Sequence, residues 1–378
     1  MSKIPRKSLI LSVDQKFGNI IIPWLKEQNL IKTEFKIITH QLKLYIPIKN
    51  LPENFSKKKE KYSLETYSID SKESQHFLQK KEKKKKNSLK DLIKLVVPSE
   101  LNALIPRSFD ILGSIAIIEL NREEHLKLRP FIFKIGELLL KNNPNLDSVY
   151  EKAGNIDGIY RTRQFKYIVG KKSTITEYKE NQCRFLIDIE RTFFTPRLAF
   201  ERNRISNIEI NFNSNGVIWD MFCGVGPYLI QIARKYPKYE YIGTDINPDA
   251  IRLAKQNVDL NKMNKYNIDF INLNVANIGE NAYHYKLKGN VVRIIMNLPE
   301  KNIEFIKILP EYIHPNGCLL HIYQFNEKRE DPLEEARKIL EINLTKVNLK
   351  IVQILSSRIV KPFSPALETT VIDAIISK

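Results

Sequence analysis

The chain has 378 residues, enough for two or three domains, and carries 61 lysines and arginines against 43 acids, a formal net charge of +18. Such a surplus calls for a polyanionic partner, nucleic acid ahead of a membrane surface. No run reaches the roughly 18 apolar residues of a spanning helix, no leader pattern follows Met1 to Arg6, and Cys183, Cys223 and Cys318 lie far apart with no CxxC pair. The expectation is a soluble, cytoplasmic protein without membrane attachment, disulfide framework or metal site.

Residues 1–50 read as a small α/β domain. Ser8 to Val13 is a strand, Gly18 to Gln28 has helical periodicity around Ile21, Trp24 and Leu25, and Lys36 to Ile38 and Leu42 to Ile48 are two more strands. Composition alone supports a packing domain and an RNA-docking module equally. Residues 51–97 read as a lysine-rich linker: Ser56 to Lys90 holds twelve lysines against five acids, with the run Lys83 to Lys86. So few aliphatics cannot offset the entropy of ordering, and the charge reads equally as a plain solvated run or as salt-sensitive attraction to phosphates.

Residues 98–172 read as a second α/β domain. Arg107, Phe109 to Gly113 and the strand Ile115 to Ile118 precede a helix from Pro130 to Lys141. From Val149 to Gly170, short β segments carry Arg161 and Arg163 beside Tyr160, Phe165 and Tyr167. Arginines interleaved with aromatics suit phosphate contact and base stacking, although a hairpin commonly exposes arginines.

Residues 173–378 form the largest unit. Cys183, Phe185, Ile187 and Ile189 alternate as a strand, and Thr195 caps a helix whose first residue is Pro196. On that helix Arg197 and Glu201 share a face at i, i+4, as a surface ion pair or as part of a site. The central stretch is Val217 to Pro227: an apolar strand ends in Asp220 and opens into a turn with Gly224 and Gly226, before a helix over Tyr228 to Tyr236. Backbone N–H groups in such a turn approach a ligand closely. Cys223 within it reads as a small buried thiol. A second strand ends in Asp245, where a ribose hydroxyl pair would be held, and a helix starts at Pro248. Ile268 to Leu273, Val291 to Met296 (followed by Asn297-Leu298-Pro299), Cys318 to Tyr323, Ile351 to Leu355 and Thr369 to Ile376 complete the sheet. The last two strands form an antiparallel hairpin. With no third glycine for GxGxxG, the pattern fits a class I S-adenosylmethionine-dependent methyltransferase (Rossmann-like) domain better than a dehydrogenase.

Several long segments together carry a specific resemblance: PRSFDILGSIAII, IYRTRQF, FFTPRLAFER, DMFCGVGPY, the NLP at Asn297 to Pro299, and KPFSPALETTVID. Over nearly the whole chain except the linker, it resembles the archaeal and eukaryotic type of tRNA (guanine-37-N1)-methyltransferase. The resemblance implies two smaller α/β RNA-binding domains, one docking on the outer corner of the tRNA and one near the anticodon stem, ahead of the catalytic domain. It implies S-adenosylmethionine as cofactor, tRNA as partner through anticodon loop and outer corner, and a monomer.

The resemblance places the general base on Glu201, a donor to guanine O6 on Arg161, base-edge contact on Asn297 and pocket shape on Pro299. Asp220, Phe222, Gly224, Val225, Gly226 and Pro227 should line the methionine side of the cofactor. Asp245 should hold its ribose and Ile246 lie against adenine, with Phe193 and Arg197 closing the pocket; Asn297 borders the cofactor too. Where the family has an acid for the adenine amino group, the sequence reads Asn272-Leu273-Asn274-Val275-Ala276. Asn274 is then the substitute acceptor, with Val275 at the acid's place. Two alternatives stand beside methyl transfer: the related wyosine-pathway transfer of the aminocarboxypropyl group, against which Glu201 argues, and a non-catalytic RNA-binding relative. The NLP, in place of an NPPY-type sequence, points to enzymes that do not also modify a wyosine precursor.

Overall fold

The structure is a computed structural model and describes residues 9–52, 54–68, 89–105, 109–120, 123–209, 216–328 and 331–378. It forms two compact units, Met1–Asn87 and Ser88–Lys378. Among the described residues no helix is long and apolar enough to cross a membrane.

In the first unit β1 (Leu9–Asp14) is central. It pairs antiparallel with β3 (Lys43–Ile48), which carries β2 (Ile38–His40) on its outer side. The helix Gly18–Glu27 buries Ile21 and Leu25 against this sheet. The lysine-rich stretch does not begin as a linker. The helix Phe55–Tyr62 and β4 (Glu65–Ser68) follow at once, and β4 pairs antiparallel with β1. Few apolar residues suffice, because they are well placed: Leu64 is 1% exposed, and Phe55 and Tyr62 pack on the same cluster as Leu11 and Val13. Lysine stems also cover aromatic faces, with Lys58 Nζ 4.5 Å from the Trp24 ring centroid. The run Lys83 to Lys86 lies outside the described residues, as does Arg107.

The second unit opens with a sheet of order β5-β6-β7-β8. β5 (Asp110–Leu112) and β6 (Ile115–Ile118) make a hairpin, and the helix Ile132–Asn142 carries the chain across to β7 (Ser148–Asp157), parallel to β6. β8 (Thr162–Gly170) returns antiparallel. A second hairpin, β9 (Ile175–Glu180) and β10 (Cys183–Asp188), turns through Asn181 and Gln182, both with positive φ. Ser114 N donates to Thr176 Oγ1 at 2.8 Å. Leu112, Ile115, Ile117 and Tyr150 share one apolar cluster with the large sheet that follows, so no solvent layer separates the two regions.

That sheet has the order β13-β12-β11-β14-β15-β17-β16. β11 (Val217–Asp220), β12 (Glu240–Asp245), β13 (Ile268–Asn272), β14 (Val291–Met296) and β15 (Cys318–Glu327) are parallel. β17 (Leu367–Ser377) runs antiparallel to both β15 and β16 (Lys350–Pro362). This is the expected α/β architecture with a reversed last hairpin. Alternation along the strands feeds two cores: Ile218, Ile295 and Tyr323 pack under the helices Pro227–Lys235 and Pro248–Leu260, while Trp219, Ile294 and Ile322 pack under Pro332–Thr345. The order reverses at β11, between β12 and β14. Ligand sites of such sheets lie beyond the carboxyl ends of the strands at that switch point.

Candidate active site

Asp220 ends β11 at the switch point and is fully buried. Its Oδ1 accepts from Phe222 N at 3.2 Å, while Oδ2 is buried with no protein partner. Burial, with the nearby Asp245 charge adding to it, pushes its carboxyl up to about 8. The turn that follows places Gly224 at φ 52° and Gly226 at φ 81°. A Cβ on Gly226 would come within 2.6 Å of the Phe270 ring, whereas above Gly224 the nearest atom is Phe193 O at 3.8 Å. Gly226 thus permits close packing beneath the loop, and Gly224 leaves space above it. Pro227 starts the helix and is buried with Val225, while Phe222 is half-buried with its ring edge-on to Phe305.

Asp245, at the end of β12, clamps this loop. One oxygen accepts from Gly224 N at 2.7 Å and the other from Asn247 N at 2.9 Å. Each oxygen retains a lone pair for a further donor. Burial raises its carboxyl, against the two backbone bonds that lower it. Ile246 beside it is 38% exposed. Asn274 is exposed and its Oδ1 accepts from Ala276 N as a helix cap. Val275 is 3% exposed and packs with Trp219 and Met221. Asn272 sits nearer Ile246, its Nδ2 donating to the carbonyls of Asp245 and Ile246.

Thr195 Oγ1 accepts from Arg197 N, so the expected cap and Pro196 start are present, first as one 3-10 turn and then as the helix Ala199–Ser206. The i, i+4 pair is not formed. Arg197 reaches Asp110 at 3.7 Å, while Glu201 turns inward and is 2% exposed. Glu201 Oε1 accepts from Arg204 Nη2 at 2.6 Å and from Tyr323 Oη at 3.0 Å, with Arg358 Nη1 3.5 Å from Oε2. A buried carboxylate needs such donors, and a partner three residues on and facing the core serves better than an exposed one.

Arg161 takes the left-handed conformation, φ 54°, in the turn between β7 and β8. Its guanidinium lies 5.4 Å from the Phe193 ring centroid and donates from Nη2 to Glu300 Oε1 at 3.3 Å. Its Nε is buried without a partner. Phe193 is 38% exposed. Asn297 and Pro299 are half-buried at the end of β14, on a turn held by the buried Asn302, whose Nδ2 donates to Met296 O and Tyr323 O and whose Oδ1 accepts from Leu298 N. Tyr323 therefore touches both the Glu201 carboxylate and the support of this turn. Lys361 lies near the same place: burial, followed by Arg197, Arg161 and Arg202, lowers its ammonium. Cys223 is a buried thiol pushed well up by burial.

The structure thus brings Arg161, Phe193, the residue after Pro299 and the Glu201 helix into one region beside the glycine loop. Tyr323, Asn302, Glu300, Arg204 and Asp373 were not singled out. Tyr323 and Asp373 carried a faint signal, since a tyrosine and an aspartate inside apolar strands must find polar partners.

A family model described as the TRM5/TYW2 methyltransferase domain matches residues 176–352, and one described as the TYW2 N-terminal domain matches residues 89–174. The tRNA (guanine(37)-N(1))-methyltransferase Trm5b of Pyrococcus abyssi is 33% identical over 77% of this chain and 81% of its own. The Trm5b of Methanocaldococcus jannaschii is 31% identical over 98% and 99% of the two chains. A solved complex of aTrm5 and tRNALeu matches with a TM-score of 0.61 at 29% identity, covering 97% of this chain and 99% of that one. With two relatives above 30% identity, one covering 77% of this chain and the other 98%, the chain belongs to the tRNA (guanine(37)-N1)-methyltransferase family.

Proposed function

We propose that this protein transfers the methyl group of S-adenosylmethionine to N1 of guanosine 37 in tRNA, with Glu201 as general base. The observation that carries this reading is the buried Glu201 carboxylate, fixed by Arg204 and Tyr323 beside the glycine loop. The loop's residues suit the cofactor. The orphan Asp220 Oδ2 is an acceptor for its amino group, Asp245 keeps lone pairs for ribose hydroxyls, and Gly224 leaves open space. Phe222, Val225, Gly226 and Pro227 would shape the wall, with Ile246 against the adenine and Asn272 or Asn274 near its amino group. When bound, S-adenosylmethionine supplies an electrophilic methyl group on a sulfonium.

Guanine N1 carries a proton and is not a nucleophile until that proton leaves; Glu201 takes it. Negative charge then grows on O6, where Arg161 donates from a turn whose backbone and Phe193 contact already orient it. Asn297 holds the base edge and Pro299 the pocket wall, for a base that must leave its stack to arrive. Arg197 and Lys361 add positive charge for the RNA backbone. The first unit docks on the outer corner of the tRNA, the chain acts as a monomer, and its setting is the cytoplasm.

Labelled S-adenosylmethionine with a tRNA transcript bearing G37, beside its G37→A twin, tests the reading. N1-methylguanosine from the first alone is expected. Transfer of an aminocarboxypropyl group, or none with cofactor bound, would overturn it.

A further inference from the structure

Glu201 ends a file of buried polar side chains that crosses β14, β15 and β17. Arg293 on β14 donates from Nε to His321 Nε2 at 2.9 Å, and from Nη2 to Ile205 O at 2.6 Å at the end of the Glu201 helix. Arginine has donors only, so Nε2 of His321 is the acceptor and its proton sits on Nδ1. That N–H faces Asp373 Oδ1 on β17 at 2.6 Å. Asp373 Oδ2 accepts from Arg204 Nη1 at 2.5 Å, and the same guanidinium reaches Glu201 through Nη2 at 2.6 Å and Nε at 3.1 Å. Arg293, His321 and Asp373 have no exposure at all.

One guanidinium therefore lies between two buried carboxylates, and only Glu201 is asked to take a proton. When it does, its charge vanishes, and Arg204 would be left a largely buried cation without a counter-charge, which is costly. We propose that Asp373, fixed by His321 and Arg293, is a positioning residue for methyl transfer: it keeps Arg204 neutralised while Glu201 passes from carboxylate to acid. The inference rests on the reading of Glu201 as the base. Without Asp373 the Arg204 charge belongs wholly to Glu201, favours its ionised form and makes it a poorer proton acceptor.

The other groups facing Glu201 do not supply this. Tyr323 from β15 is a neutral donor, itself bonded to Tyr228 from the helix Pro227–Lys235. Arg358 from β16 is a cation with a 32% exposed side chain. Arg202, on the Glu201 helix, is closed off by Glu180 of β9 in a buried pair. Asp373 is the anion available. Burial opposes its ionisation, but His321 and Arg204 hold its carboxyl down at about 2. Burial and Arg293 keep His321 neutral, lowering it to about 4.

Single-turnover rates on tRNA as a function of pH test this in Asp373→Asn and Arg204→Gln, beside Glu201→Gln. For Asp373→Asn, the acid limb moves to lower pH by about half a unit or more and the plateau falls ~10-fold, with cofactor affinity by calorimetry unchanged. For Arg204→Gln the limb moves to higher pH, because Glu201 then faces Asp373 with no cation between them. A structural role would lower the rate or melting temperature in both without moving either limb, and that outcome overturns the proposal. Should Asp373→Asn fail to fold, Arg204→Gln together with Asp373→Glu, which must restore the wild-type limb, decides the matter. Full activity in Glu201→Gln would instead remove the general-base reading itself; loss there with unmoved limbs removes only the role of Asp373.

Discussion

Arg161 donates to Glu300 Oε1 at 3.3 Å, joining the β7–β8 turn to the residue that follows Pro299. The Glu300 side chain is 48% exposed and that of Arg161 only 18%, so the acid is the movable partner and the arginine the fixed one. On the proposed reading, a guanine O6 competes with Glu300 for this guanidinium when the base enters. Arg161→Ala should lower the single-turnover rate ~100-fold, as loss of a donor to a developing oxyanion does. Glu300→Gln should tighten tRNA binding several-fold by freeing the guanidinium. Equal tRNA affinity in wild type and Glu300→Gln, by filter binding, would mean the pair does not compete with substrate.

Glu201→Gln keeps the side-chain volume and an acceptor for Tyr323 but cannot take a proton. Turnover should fall by ~100-fold or more with cofactor affinity intact. Isothermal calorimetry and single-turnover assays on one preparation separate these. Joint loss of both would point to collapse of the Arg204 network.

Gly226→Ala should be damaging for two reasons that share one methyl group: φ is 81°, and the new Cβ would lie 2.6 Å from Phe270 Cζ. Strain and overpacking of this kind cost about 1–3 kcal/mol each. The midpoint of urea unfolding should drop accordingly, and cofactor binding weaken. Gly279→Ala, with nothing within 4 Å of its Cβ, serves as the control and should change neither.

Asp220 should make the unliganded protein lose stability as pH rises from about 5 to about 8. Its folded carboxyl, at about 8, lies above the ordinary value near ~3.9, so between these the folded state holds a proton that the unfolded chain has released. Stability from this group is therefore present below the unfolded value and lost as pH rises through the folded one. Asp220→Asn removes that dependence. Relative to wild type, the variant should gain stability in urea unfolding between about pH 5 and about pH 8; a constant difference across that range would contradict the assignment.

The folding of the catalytic sheet was legible because it rests on local patterns. Strand, glycine turn and helix from Val217 to Lys235, and the acids closing β11 and β12, follow from period-two and helical spacing and from turn residues that act within a few positions. The start of the lysine-rich stretch was not legible. Averaged over thirty-five residues its composition reads as disorder, yet Phe55, Tyr62 and Leu64 find a core that residues far away in the chain create.

The same distinction divides the candidate site. The sequence by itself determined which residue types stand at the strand ends and on the Pro196 helix, hence that Asp220, Asp245 and Glu201 are the candidates for a cofactor site and a base. Only the tertiary structure decided what Glu201 faces. Sequence spacing offers it Arg197 at i, i+4; the sheet order instead brings Tyr323 from β15, Arg358 from β16 and, through Arg204, Asp373 from β17. The reason is burial. A carboxylate turned into the core must be satisfied by whatever donors the neighbouring strands deliver, and strand order is a property of the packed sheet rather than of any local segment.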